Sequence, residues 1–194
     1  MIPLWIKLAY TFYVAVTMAV YLAKYSRGNL LWFSDIALLA TVMALWFESA
    51  FLASMMAVGV LIPDIVWNLG FFGQLVTGKR ISGLTDYMFD PGKPLYLRAL
   101  SLFHVFLPIL LLWMIARLGY DPKAWIAQSV LAWSVLPLSY WLTDPAENVN
   151  WVFGIGNKPQ KRLPPLAYLG LLMLGFPAFI YLPTHLVLLT LFGR

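Results

Sequence analysis

The feature that most constrains this chain is a series of long, almost uncharged apolar runs divided by short polar segments. A hydrocarbon slab about 30 Å thick takes about 20 apolar residues per helix. Runs at about 4–23, 30–47, 50–72, 96–118, 124–142 and 164–182 approach that length. Their continuity argues against a membrane barrel, whose strands alternate apolar and polar residues. Charged residues make up 11% of the 194 and hydrophobic residues 62%, against about 25% and 45–50% in soluble domains. That shortage of charge excludes an ordinary water-soluble globule and a disordered chain. The excess of Lys and Arg is scattered over short loops and builds no phosphate-reading face, so nucleic acid is not an expected partner. With no cysteine in the sequence, disulfides, thiolate metal sites and cysteine nucleophiles are excluded.

The expected fold is all-α: a polytopic membrane protein in which residues 1–194 form one transmembrane domain, a six-helix bundle. Orientation follows from the basic residues. Lys24, Arg27, Lys79, Arg80, Lys93, Arg98, Lys158, Lys161 and Arg162 fall in or beside loops one, three and five, whereas Lys7, Arg117, Lys123 and Arg194 fall on the opposite side. The positive-inside rule then puts loops one, three (73–95) and five (143–163) in the cytoplasm and both termini on the non-cytoplasmic side of a cell (inner) membrane. Glu48-Ser49 makes the second and third runs a tight hairpin, and Pro183 is expected to kink or end the sixth.

Ionisable groups inside such runs are functional candidates, because a charge at the bilayer centre costs about 2.5–3.5 kcal/mol on insertion scales. Asp35, Asp64 and His104 lie on three different runs. At 1.5 Å per residue each sits on the order of 8–12 Å below the same, cytoplasmic, surface. Asn68 shares a helical face with Asp64. Ser34 adjoins Asp35, and Arg98 and Ser101 precede His104 by two turns and one. After the fifth run, Asp144, Glu147, Asn148, Asn150 and Trp151 concentrate acids and amides at the interface. Pro145 ends that run at or before Asp144, and the segment is expected to fold over the cytoplasmic mouth with Arg98 and His104 as its nearest donors. Gly83–Gly92, carrying Asp86 and Asp90, reads as a short interfacial element over the same mouth.

These residues suit an intramembrane hydrolase or transferase with a lipid-like substrate drawn from the surrounding lipids. Asp64, His104, Glu147 and Ser34 are the candidate catalytic groups. Arg98, Asn68, Asn148, Asn150 and Trp151 are the candidate substrate-binding groups. Asp35, Asp64, His104 and Asp144 form a carboxylate-rich, single-imidazole set of the kind that takes a divalent metal. Other readings stand beside these. Arg98 could pair with Asp35 or Asp64 as a purely structural ion pair, His104 could bond Ser101 or a carbonyl, and Asp144 could cap a turn. The chain would then be a non-catalytic subunit of a larger membrane complex, or a small transporter or channel, with a homo-oligomer as a further option.

Overall fold

The computed structural model describes residues 1–156 and 159–193; Lys158 and Arg194, both used in the basic-residue count, lie outside the described residues. The chain is all-helical, with no strand among the described residues. The elements are α1 (Leu4–Lys24), a 3-10 turn (Arg27–Leu31), α2 (Phe33–Trp46), α3 (Ala50–Thr77), a 3-10 turn (Gly83–Thr85), α4 (Asp86–Phe89) and α5 (Leu95–Leu100). There follow α6 (Phe103–Leu118), α7 (Ala124–Leu142), a 3-10 turn (Val149–Trp151), α8 (Pro165–Gly175), a π-helical stretch (Phe176–Tyr181) and α9 (Leu182–Phe192).

Among the described residues, four helical stretches are long and apolar enough to cross a membrane: Leu4–Lys24, Ala50–Thr77, Leu95–Leu118 and Pro165–Phe192. Large apolar side chains such as Trp5, Phe12, Leu69, Ile109, Trp141 and Phe179 cover the outside of the molecule. An outer surface that apolar suits lipid rather than water. The second run is shorter than expected. The backbone over Arg27–Leu31 tightens into a 3-10 turn, and α2 keeps 14 residues, about 21 Å of rise. The third run is longer. Hydropathy falls after Phe72, but the helix continues until Gly78 at φ 66° supplies the left-handed residue that ends it.

Pro183 does not end the last run. Pro165–Gly175, Phe176–Tyr181 and Leu182–Phe192 follow one another without interruption. Proline removes a backbone donor and crowds the preceding turn. Here the wider π turn stands between Pro177 and Pro183, and such turns let a helix absorb an inserted residue or a missing bond.

α3 is the central helix and packs against α2, α6, α7 and α9. It can be approached closely because of its small residues. A Cβ at Gly59 would lie 2.6 Å from Gln128 Nε2 on α7, and close backbone approach of this sort is how helices associate where lipid offers no hydrophobic gradient. One end of the molecule gathers the N-terminus, the turn after α2 and the loop before α7. Asp121 N–H donates to Ser54 Oγ there (3.0 Å). The other end gathers residues 25–32, 78–94 and 143–156: Ser26 Oγ donates to Glu147 (2.9 Å), and a Cβ on Gly28 would touch Thr143.

Glu48 holds the first of these ends. It sits at φ 49°, a strained value for a residue with a side chain. Its carboxylate accepts from Lys7 Nζ (2.8 Å) and from Ile2 N–H (3.0 Å), and both bonds hold its pKa below the usual carboxylate range. A group with a depressed native pKa adds stability above its unfolded value and loses it as pH falls through the native one. The thermal midpoint of the wild type in detergent should therefore exceed that of Glu48→Gln near pH 7. The gap should close as pH drops below about 4. A gap that is constant with pH would show that the clamp is not ionic.

Candidate functional site

The end that gathers residues 25–32, 78–94 and 143–156 encloses a cavity of about 770 Å³. Asp35, Asp64 and His104, three turns of three helices in the sequence, all line it, and so do Ser34, Ser101, Glu147, Asn148, Asn150 and Trp151. Asp86 and Asp90 reach it from the segment over the mouth. The wall is completed by aromatic and small apolar groups, among them Tyr21, Tyr25, Trp32, Trp67, Tyr87 and Val60.

Its centre is a carboxylate–imidazole pair. Asp64 Oδ1 lies 2.7 Å from His104 Nδ1, and Asp64 is 1% exposed. The pair joins α3 to α6. Asn68, one turn after Asp64, secures it from behind by donating to the carbonyls of His104 (2.7 Å) and Asp64 (2.8 Å). The His104 ring stacks on Trp67 (4.8 Å between centroids) and Phe103 (4.1 Å). Trp67 is itself fixed by donating to the Tyr87 hydroxyl (3.1 Å), whose pKa burial pushes up to about 12. Pro63 has no N–H to give the Gly59 carbonyl, and both residues line the cavity.

Asp64 Oδ2 is buried without a hydrogen-bond partner among the described residues. His104 Nε2 bonds no described residue, so a proton on Nδ1 donated to Asp64 leaves Nε2 as an open acceptor. Asp35 is buried and accepts from Asn29 Nδ2 (2.9 Å). Ser34 and Ser101 share the cavity, but neither hydroxyl bonds the His104 ring among the described residues; His104 N–H donates to the Ser101 carbonyl (3.3 Å), and Ser101 Oγ is 3.5 Å from the Tyr21 hydroxyl.

The segment after α7 covers this end with partners other than those expected. Glu147 is bonded to Ser26, not to Arg98 or His104. Asn150 accepts from Phe33 N–H (3.1 Å) and donates to the Leu31 carbonyl (2.7 Å) and Ser139 Oγ (3.1 Å). Asn148 donates to the carbonyls of Gly154 and Gly156 and accepts from Phe153 N–H. Asn148, Asn150 and Trp151 all have positive φ, at 45°, 51° and 61°. Strain of this kind persists only where the surroundings over-determine it, and here the amide side chains do so.

Arg98 and Asp144 are not part of the cavity wall. Arg98 donates to the Met88 carbonyl (2.9 Å) and makes no ion pair with Asp35 or Asp64 among the described residues. Asp144 is exposed and accepts from Ala146 N–H (2.8 Å), the turn-capping role. Among the described residues no three His, Asp or Glu side chains come together at metal-holding spacing; Asp64 and His104 meet without Asp35 or Asp144. Asn29, Tyr21, Tyr25 and Trp67 line the cavity without being among the site residues that the sequence singles out. Trp67 carried a signal, since it falls three residues after Asp64 on the same helical face.

Comparison with known proteins gives no matching family model, no matching curated protein and no matching solved structure.

Asn150 is the clearest test of how the site is closed. It is 3% exposed, and each buried group left unpaired costs about 1–3 kcal/mol. Asn150→Leu, which keeps the volume and removes the bonds, should lower the thermal midpoint by several degrees and make the backbone around Phe33 exchange hydrogen faster. Unchanged exchange at Phe33 would show that the segment is not fastened through Asn150.

Proposed function

We propose that the protein is a multi-pass cell-membrane enzyme, a hydrolase or transferase that acts on a lipid-like substrate within this cavity. The observation that carries this reading is the buried Asp64–His104 pair at 2.7 Å, on the wall of a cavity of about 770 Å³ lined by both polar and apolar groups. A substrate with a polar head and an apolar tail needs that mixture. Asp64 orients the imidazole and stabilises its protonated form. His104 Nε2 takes the proton from an attacking water, for hydrolysis, or from an acceptor hydroxyl, for transfer. It returns that proton to the leaving group. Ser34 and Ser101 contribute hydroxyls to the wall, and Asn68 positions the pair.

General-base assistance is worth about 10²–10⁴-fold. Wild-type protein in vesicles of membrane lipid extract and ¹⁸O-labelled water should convert a lipid species detectable by mass spectrometry. Label in the product marks hydrolysis; an unlabelled product marks transfer. Asp64→Asn and His104→Gln should each lower turnover per folded molecule by about 10²-fold or more. Both changes also lower stability, because removing one partner of a buried pair costs about 3–5 kcal/mol. Turnover that falls only in proportion to folded protein would assign the pair a structural role and defeat the enzymatic one.

The finer topology belongs to the same proposal: six spans, with α2 and α7 crossing beside the four longer stretches, loops one, three and five cytoplasmic and both termini outside. The basic-residue count and the gathering of these three loops at one end support it. The chain is free of cysteine, so single-cysteine variants report cleanly. Lys79→Cys and Lys123→Cys are both at exposed positions and should react with a membrane-impermeant thiol reagent from opposite sides. Reaction of both from one side would overturn the topology.

A further inference from the structure

We infer that the cavity receives an ammonium group, with Asp35 as its counter-ion; this names the substrate class and rests on the reading of the cavity as a substrate site. Asp35 is 3% exposed, lines the cavity and accepts one hydrogen bond, from the neutral amide of Asn29. No cationic side chain of the described residues lies within 4.0 Å of it. A carboxylate taken out of water without a counter-charge is costly; the first turn of α2 gives Asp35 only the partial positive charge of a helix N-terminus, and no cationic side chain among the described residues completes it.

An independent observation points the same way. Asp64 Oδ2 belongs to a side chain 2% exposed, lies on the same cavity and has no partner among the described residues. The wall therefore holds two buried acceptors whose bonding is incomplete.

The rest of the lining fits a cation and disfavours an anion. Asp90 and Glu147 add carboxylates, Glu147 meeting only the Ser26 hydroxyl. Asp86 is neutralised by Arg80. Apart from His104, Lys93 is the basic residue on the wall among the described residues, and its Nζ sits 5.5 Å over the Tyr87 ring. A phosphate head would meet a surplus of carboxylates. Tyr21, Tyr25, Trp32, Trp67, Tyr87 and Trp151 supply aromatic surface, and aromatic faces attract ammonium ions, most strongly when water is excluded. Val60, Pro63 and Phe176 give the same cavity an apolar side that can take an attached chain.

The full chain in a neutral maltoside detergent can be titrated with four probes: hexadecylammonium, hexadecanol, hexadecyl phosphate and methylammonium. A charge-assisted hydrogen bond is worth about 1.5–3 kcal/mol, so the alkylammonium should bind about 10–100-fold tighter than the alcohol. The phosphate should bind weakest. Competition by methylammonium at similar affinity assigns a water-borne cation; binding of the long-chain compound alone assigns a membrane amphiphile. Asp35→Asn should abolish the preference for ammonium over alcohol. Should that variant not fold, the wild-type series still decides, and Glu147→Gln at the exposed rim should weaken the ammonium probes a few-fold at low salt.

Equal affinities for the ammonium and the alcohol, or an undiminished preference in folded Asp35→Asn, would overturn the inference. His104→Gln separates the two proposals. It should lose turnover and keep the ammonium preference. An ammonium preference in a wild-type protein that turns over no lipid would leave this inference standing and remove the catalytic one. Turnover indifferent to head charge would do the reverse.

Discussion

Everything at this end of the molecule depends on one requirement: polar groups carried into an apolar setting must find partners inside the protein. Lipid offers them no hydrogen bonds, and each group left unsatisfied costs on the order of 1–3 kcal/mol. Asp64 and His104 meet this by pairing across α3 and α6. Asn68 meets it by bonding a carbonyl on each of the same two helices. Two helices with few other directional contacts are thereby held in one register, and the aromatic stack of Phe103, His104 and Trp67 fills the space beside the bond.

The same requirement explains why an irregular segment closes the cavity instead of a further long helix. Residues 143–156 place backbone groups where neighbours are buried, Val149 and Val152 among them. The backbone there makes short turn bonds, Trp151 N–H to the Asn148 carbonyl and Val152 N–H to the Val149 carbonyl among them, and no continuous helical ladder, because Asn148, Asn150 and Trp151 are left-handed. Amide side chains supply further bonds. Each amide carries both donors and an acceptor, and Asn148 and Asn150 use both kinds on main-chain groups of their own segment and of the turn before α2. The cavity wall is therefore tied by hydrogen bonds on the side of Asn150. The part formed by residues 83–90 is held by the Trp67–Tyr87 bond, the Arg80–Asp86 pair and the Arg98 bond to Met88.

Much of the architecture was legible because it is a matter of one-dimensional chemistry. Apolar run length finds the helices, and Gly119 and the Glu48-Ser49 turn end them where composition indicates. The common depth of Asp35, Asp64 and His104 follows from rise per residue alone, and all three line one cavity. Besides the start of α2, two boundaries were not legible, for local reasons. The third helix runs on to Gly78 because a helix stops at a conformational cap and not at a drop in hydropathy. The last helix passes Pro183 because a π turn absorbs what an α turn could not.

Pairing was the part that sequence could not decide. Composition and spacing place an acid, an arginine, a histidine and several amides at one level, and Coulomb attraction alone would join Arg98 to a carboxylate. In the fold Arg98 points its guanidinium at the Met88 carbonyl, His104 takes Asp64, and Asn29 takes Asp35. Hydrogen bonds act over about 3 Å, whereas helical periodicity locates a side chain only to a face and a depth. The sequence by itself therefore determined that this chain is helical, lipid-compatible and polar at one level of its interior. Which polar groups touch, which carboxylate is left without a counter-charge, and that the level is hollow were decided by how helices from distant parts of the chain rotate and pack against α3.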